Sequence, residues 1–510
     1  MESNIKTVEL CTEKCIFEKE VEVFLESEFA LPEYYSPIKR TLHCRFEPAV
    51  SSKNLTGSTI NIDGVASIKL IYCDDMNEPC CFESGLVFNK NLDTGFDIEK
   101  CSIKADVVDC KTNYSVKSDR KFEIKASVTL KICVSQLTKS KCLSGVADKS
   151  FEQKCYSVPV KEDVKFAEKN IIIDDELELS ESHAKIGRIL NYDGIILPDE
   201  CKLMNGKVMI KGNLVLNITY LSADGCIPCR LQHKIPYSQV CDVDGINDEF
   251  TCNCSEKLVY VEVKCRNSGN DQSRSISINA KLCVELEAYL QKENTLISDI
   301  YSLHNKIEIS SNTMNIKCLK DRLSEVFTVK KTLEFSEGSI GSVTDIWSKV
   351  KITGVSKKEN YVLIFGIAYI KMIICDVNGN AEFIERAIDF EYKYNATYTL
   401  NSCVAEAKAF FSNMSYIVVS ENAIEVTCNL SMNINIFENR EVNVVSDMTV
   451  LEGNTEDCID CSMYVCYLEA ETDLWELAKS HRSSLKRIRE INGLDEAQNT
   501  ISGSILIPTV

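Results

Sequence analysis

Cys226 and Cys229 form a Cys-X-X-Cys pair, and Cys252 and Cys254 begin 23 residues later. Thiolates at such short spacing can chelate zinc, because two sulfurs from one turn reach a single ion. Cys458 and Cys461 make a second Cys-X-X-Cys, in a chain that holds 26 cysteines. The first residues, MESNIKTVELCTEKC, contain neither an apolar core nor a small-residue cleavage site, so no secretory signal is expected there. Most thiols are therefore expected to be reduced, and a small buried thiol is an ordinary core residue. A metal site at Cys226, Cys229, Cys252 and Cys254 is the alternative. The base expectation is no metal and no cofactor.

Other chemistry finds little support. His43, His183, His233, His304 and His481 are scattered. No Gly-X-Ser-X-Gly elbow, Walker loop, dinucleotide fingerprint or His-Glu-X-X-His is present. A protein without catalytic activity is expected. The formal charge of −19 opposes binding to nucleic acid or to an anionic membrane surface. The most apolar stretch, YVLIFGIAYIKMIIC at 361–375, is short and carries Lys371. It reads as a buried strand, and no segment is expected to span a membrane.

The elements that would position any site repeat three times. GVASIKLIYCD from Gly64, GNLVLNITYLS from Gly212 and GIAYIKMIICD from Gly366 align without gaps, and the first and third share seven of eleven residues. Leu214, Leu216, Ile218 and Tyr220 alternate as a half-buried strand requires. Each copy runs into a turn rich in Asp, Asn or Gly and then a second strand, which predicts a hairpin. A second marker, a strand entering a short helix or turn, precedes each hairpin near Pro32, Ser180 and Ser336. A third, strand-like marker follows in ASVTLKICV (126–134), ISINAKLCV (276–284) and NAIEVTCNL (422–430). The fold class is therefore mainly β, with units of about 150 residues, an ordinary domain size. We place them at 1–157, 158–304 and 305–455. The polar stretches VPVKEDVKFAEKN and SDMTVLEGNTEDCIDC are read as linkers.

From Met463 the pattern changes. MYVCYL reads as a strand, and Thr472 can cap a helix that carries Leu474, Leu477 and Ala478 on one face. Ser483 or Ser484 opens a second helix along Leu485, Ile488 and Ile491. NGL (492–494) ends it, and SILIP closes the chain as a strand. The expectation is a βααβ domain over 460–510. Lys479, Arg482, Lys486, Arg487 and Arg489 cluster there in an otherwise acidic chain.

This stretch resembles the LysM family. Tyr464, Leu474, Trp475, Leu477, Ala478, Asn492 and Pro508 stand where that pattern has them. Glu471, Thr472 and Asp473 replace the usual Gly-Asp-Thr, and loss of the glycine changes how closely the backbone can approach a ligand. In LysM modules that loop lines the groove for N-acetylglucosamine polymers, so Thr472, Asp473 and Asn492 are the residues of an alternative, glycan-binding reading. The altered loop argues against glycan and for a protein partner.

The whole chain, three β-rich repeats and one LysM, resembles the clostridial spore-coat morphogenetic proteins with repeats of the SPOCS class. The resemblance implies a scaffold for coat assembly in the mother-cell cytoplasm at the forespore surface. It also implies a LysM domain that binds the coat ATPase SpoIVA, with other coat proteins as further partners. The residues assigned to that contact are Met463, Leu474, Trp475, Lys486, Arg487 and Arg489.

Overall fold

Alternation of apolar and polar residues runs through most of the chain, and most of the chain is strand. The structure, a computed structural model, describes residues 5–95, 101–225, 227–266, 274–335, 340–451 and 462–509. The first six strands are β1 (Ile5–Ala30), β2 (Arg40–Thr56), β3 (Thr59–Cys73), β4 (Pro79–Asp93), β5 (Cys101–Ser118) and β6 (Lys121–Val146). The next six are β7 (Phe151–Glu178), β8 (Ile186–Met204), β9 (Lys207–Ser222), β10 (Pro228–Asp242), β11 (Thr251–Cys265) and β12 (Ser275–Ser302). Then come β13 (Ile307–Glu334), β14 (Ile340–Lys357), β15 (Tyr361–Asp376), β16 (Ala381–Asn395), β17 (Cys403–Ser420) and β18 (Ala423–Val450). The chain closes with β19 (Met463–Asp473), α1 (Leu474–Ser480), α2 (Leu485–Asn492) and β20 (Thr500–Pro508).

The first eighteen strands pair in one pattern used three times. Hairpin sheets are ordered β2-β3-β4, β8-β9-β10 and β14-β15-β16. Long-strand sheets are ordered β1-β6-β5, β7-β12-β11 and β13-β18-β17. Within a unit the two sheets pack apolar face to apolar face. In the second, Leu214, Leu216 and Ile218 of β9 share a core with Ile276, Ile278 and Leu282 of β12. The stretch expected to link the first two units is instead part of β7. Its charges alternate with Val158, Val160 and Val164, which are buried along one strand, so the break falls at 147–150 and not at 157. The second marker is a turn rather than a helix at 31–38 and 179–185.

The repeated glycine has a steric cause. Gly64, Gly212 and Gly366 lie directly across from Phe88, Tyr237 and Phe390 in the antiparallel register. Each ring lies over its glycine, and a Cβ at any of the three would overlap it. The aromatic covers the strand where a side chain is missing, and the glycine makes room for the ring. Thirteen residues after each glycine the hairpin turn holds a left-handed residue: Asn77, Gly225 and Gly379.

The three units meet through β6, β12 and β18, each of which touches the other two. Near its end each long strand carries one extra residue relative to its partner: Ser144, Ser298 and Ser446. Ser298 Oγ donates to the Lys154 carbonyl at 2.9 Å, and Ser446 Oγ to the Ser310 carbonyl at 3.1 Å. Such bulges bend a strand and re-aim its side chains. Around them Cys142, Leu296 and Val444 share one apolar cluster, and Leu143, Ile297 and Val445 another. Equivalent residues of the three units thus converge on one hub.

A second junction is polar and joins β2, β8 and β14. Arg45, Asp193 and Trp347 pair with Lys69, Asn217 and Lys371, each five residues past its unit's glycine, so they are equivalent. Buried Arg45 reaches Asp193 at 2.5 Å, Asn191 Oδ1 at 2.8 Å and Glu47 at 2.6 Å, with Trp347 against its guanidinium. Buried Asp345 accepts from Asn191 Nδ2 at 2.7 Å and Thr219 Oγ1 at 2.6 Å. Lys69 Nζ donates to the Tyr192 carbonyl at 2.9 Å. His43 stacks on Phe383 at 4.0 Å; burial, helped by Lys371 and Arg45, pushes its pKa down to about 3, so it is neutral. A chamber of about 1720 Å³ lies between the units, lined by charges of both signs that include Lys53, Glu168, Arg322, Lys349 and Glu406.

Two outcomes are expected. Gly212→Ala should cost about 1–3 kcal/mol through overpacking against Tyr237, read as a lower urea midpoint with an unchanged slope. Partial desolvation opposes ionisation of Glu47, whose side chain is half exposed, yet Arg45, with Lys69 and Lys349, holds its pKa down from 4.5 to about 2. A depressed carboxyl stabilises the fold above its unfolded pKa and loses that contribution as pH falls through the folded value. Wild type should therefore exceed Glu47→Gln in stability above pH 4.5, and the gap should close toward about pH 2. Unfolding midpoints measured across that range check it.

Candidate partner-binding surface

The C-terminal module is a two-stranded sheet, β19-β20, over two short helices. Asp473, not Thr472, caps α1: its carboxylate accepts from the Trp475 and Glu476 amides. Thr472 instead donates its hydroxyl to the Ala470 carbonyl at 3.1 Å. Gly493 ends α2 in the left-handed region. Ile488, Ile505 and Ile507 are buried between helices and sheet.

Leu474 and Trp475 do not face solvent. They are 1% and 6% exposed, and their cluster includes Tyr301 from the end of β12. The Trp475 ring meets Tyr301 edge-on at 5.0 Å, and Trp475 Nε1 donates to Asp299 at 2.7 Å. Lys479 Nζ reaches both oxygens of the same carboxylate, at 2.7 and 2.8 Å. Tyr301 OH donates to the Ser483 carbonyl at 2.7 Å, and Lys154 of β7 lies 3.9 Å from Asp473. Trp475 therefore anchors the module on the second unit. A buried indole N–H needs an acceptor, and Asp299 supplies it.

The other assigned residues divide. Met463 is 42% exposed, and Val465 and Tyr467 follow at alternate positions of β19, 72% and 75% exposed. Lys486 and Arg487 are exposed on α2, with Lys486 only 3.9 Å from Glu490 one turn on. Arg489 is half-buried and donates to the Gln498 carbonyl and the Asn499 side chain at 3.2 Å each. Of the three glycan-reading residues, Asn492 is committed to the fold: it donates to the Ile488 and Leu506 carbonyls and accepts from the Leu506 amide. Asp473 is spent on its cap. The Thr500 hydroxyl ties down Glu471 at 2.7 Å. The structure thus brings Met463, Val465 and Tyr467 together as an open apolar strip. The chain order alone did not reveal Asp299 and Tyr301. Their signal is the repeated bulge motif, LSGV (143–146), ISDI (297–300) and VSDM (445–448), of which only the second is followed by tyrosine.

Of the alternative metal set, Cys229 does not join Cys252 and Cys254. Cys229 lies on β10, where its thiol faces the Ile227 carbonyl, and Cys226 falls outside the described residues, as do Cys458 and Cys461. Cys252 and Cys254 are joined instead by Cys201 of β8. Cys229 is kept apart because β10 and β11 belong to different sheets, and β8 is the strand of that sheet that packs on β11.

With this geometry in place, comparison with known proteins adds one match. Residues 185–266 match the SipL, SPOCS domain family. That segment runs from the start of β8 to the end of β11, inside the second unit. Neither the curated proteins nor the solved structures include a match to the chain. No helix among the described residues is long and apolar enough to cross a membrane.

Removing Asp299 strands a buried indole N–H and an ammonium. Asp299→Ala should weaken seating of the module by about 1–3 kcal/mol. Acrylamide quenching checks it: Trp475 should become accessible while Trp347, buried at the junction between units, stays protected.

Proposed function

We propose that this protein is a non-catalytic scaffold of spore-coat assembly, whose C-terminal LysM-like module recruits a protein partner. The observation that carries the reading is the SPOCS match at 185–266, in a unit whose strand order occurs twice more in the same chain. The resemblance of the whole chain to coat morphogenetic proteins makes the SpoIVA ATPase the expected partner, with other coat proteins on the body. The expected setting is the mother-cell cytoplasm at the forespore surface. A large, many-sided body with one small appended module suits a part that joins other parts.

Within the module, the docked and open faces take different roles. Leu474 and Trp475 hold the module to β12, and Arg489 holds α2 to the 498–499 segment. The face left for a partner is the Met463, Val465 and Tyr467 strip and the Lys486 and Arg487 pair of α2. Apolar contact at the centre with charge at the rim is a common interface arrangement. A cationic rim on a chain of net charge −19 favours an acidic patch on the partner. The glycan reading is weaker because Asp473 and Asn492 are already bonded within the module.

Capture of purified SpoIVA by the full-length chain tests this. The double variant Lys486→Glu, Arg487→Glu should bind at least about tenfold more weakly, roughly 1.4 kcal/mol, with an unchanged circular dichroism spectrum. A chain ending near residue 455 should not bind. Equal capture by all three would sink the proposal, and retention of the full-length chain on peptidoglycan, lost in Asp473→Ala, would favour the glycan alternative.

A further inference from the structure

In the second unit, β8 and β11 belong to opposite sheets and pack against each other at one side of the sandwich. β8 brings Cys201. β11 brings Cys252 and Cys254, two residues apart and so on one face of the strand. The three sulfurs lie within 4.8 Å of one another. Cys201 and Cys254 are joined as a disulfide, and Cys252 stands 3.4 Å from the first and 3.8 Å from the second. No other set of three or more metal-ligating side chains is this close among the described residues.

The cluster is not a requirement of the fold. Cys201 pairs with Ile210, two residues before Gly212. The equivalent positions, opposite Ile62 and Ile364, are Lys53 and Val355. Both other units therefore build the same strand without sulfur. Nor does one disulfide account for three cysteines. Cys252 is half-buried beside the pair, and a bound cation can displace a thiol proton. Tetrahedral zinc with Zn–S bonds of about 2.3 Å sets its sulfurs about 3.8 Å apart, the separation that Cys252 and Cys254 already have.

We propose that in the reduced chain Cys201, Cys252 and Cys254 bind one zinc ion as thiolates, with water in the fourth position. Reduction by a low-molecular-weight thiol converts the Cys201–Cys254 disulfide to two thiols and two reductant molecules to their own disulfide. Zinc then displaces three thiol protons to solvent. The ion bridges β8 and β11 and so ties the two sheets of the second unit together. In the oxidised chain the disulfide makes that tie and no zinc is held.

The test uses the full-length chain carrying Cys458→Ser and Cys461→Ser, so that the other Cys-X-X-Cys cannot contribute. Reduced and metal-depleted, it should take up one zinc per chain by elemental analysis. With cadmium as a probe it should show the ultraviolet thiolate-to-cadmium band, saturating at one equivalent. Cys252→Ser should weaken uptake at least about a hundredfold, and Cys229→Ser should leave it unchanged. Zinc should raise the melting temperature of the parent chain and not of Cys252→Ser. Uptake lost in Cys229→Ser, uptake unaltered in Cys252→Ser, or none by the reduced chain at micromolar zinc would each overturn the proposal.

Discussion

The bulged ends of β6, β12 and β18 hold the body together. An antiparallel pair of 25 or more residues would run on as a continuous twisted ribbon. One extra serine near the end of each bends the strand and directs its next apolar side chains inward. Ser298 and Ser446 satisfy their hydroxyls on the partner strand. The reward is the shared burial of Cys142, Leu296 and Val444, and of Leu143, Ile297 and Val445. The same three units meet a second time at the polar junction among β2, β8 and β14, where Arg45 reaches Asp193. Buried ion pairs contribute little net stability but penalise misalignment heavily. The hub supplies the attraction and the junction the register.

Much of this was legible in the chain because it was written three times. Gly64, Gly212 and Gly366 identify the middle strand of each hairpin, and alternation in LVLNITY identifies its buried face. The cause of the glycine was not legible, because it lies in Phe88, Tyr237 and Phe390 on the next strand. The strand character of 158–170 is masked in the sequence for a physical reason: lysines and glutamates on the outer face of a strand look like a linker when the buried valines between them are few. LSGV, ISDI and VSDM are short and diverged, so they did not stand out as a repeat.

The candidate site was less legible. A tryptophan beside lysines and arginines in an acidic chain reads as an exposed hot spot, but Asp299 and Tyr301, more than 170 residues upstream, cover it. Sequence spacing likewise favoured Cys229 over Cys201. Only the packing of β8 against β11 reveals that Cys201 is adjacent to Cys254 across 53 residues while Cys229 is on another strand. Both cases have one source: local spacing reports contacts within an element, whereas these contacts join elements far apart in the chain. Residues that can be judged from their own element, such as Lys486 and Arg487 on α2, stand where the pattern put them.

The seat of Trp475 has two counterparts that lack its full set of side chains. Where the second unit has Asp299 and Tyr301, the first has Gly145 and Ala147 and the third Asp447 and Thr449. Glycine and alanine offer neither acceptor nor ring, and threonine cannot replace the tyrosine that faces the indole. A body with three near-equal sides therefore carries its appendage on one side only. That single lost symmetry gives the molecule a front, so that neighbours arranged around it would share one bearing.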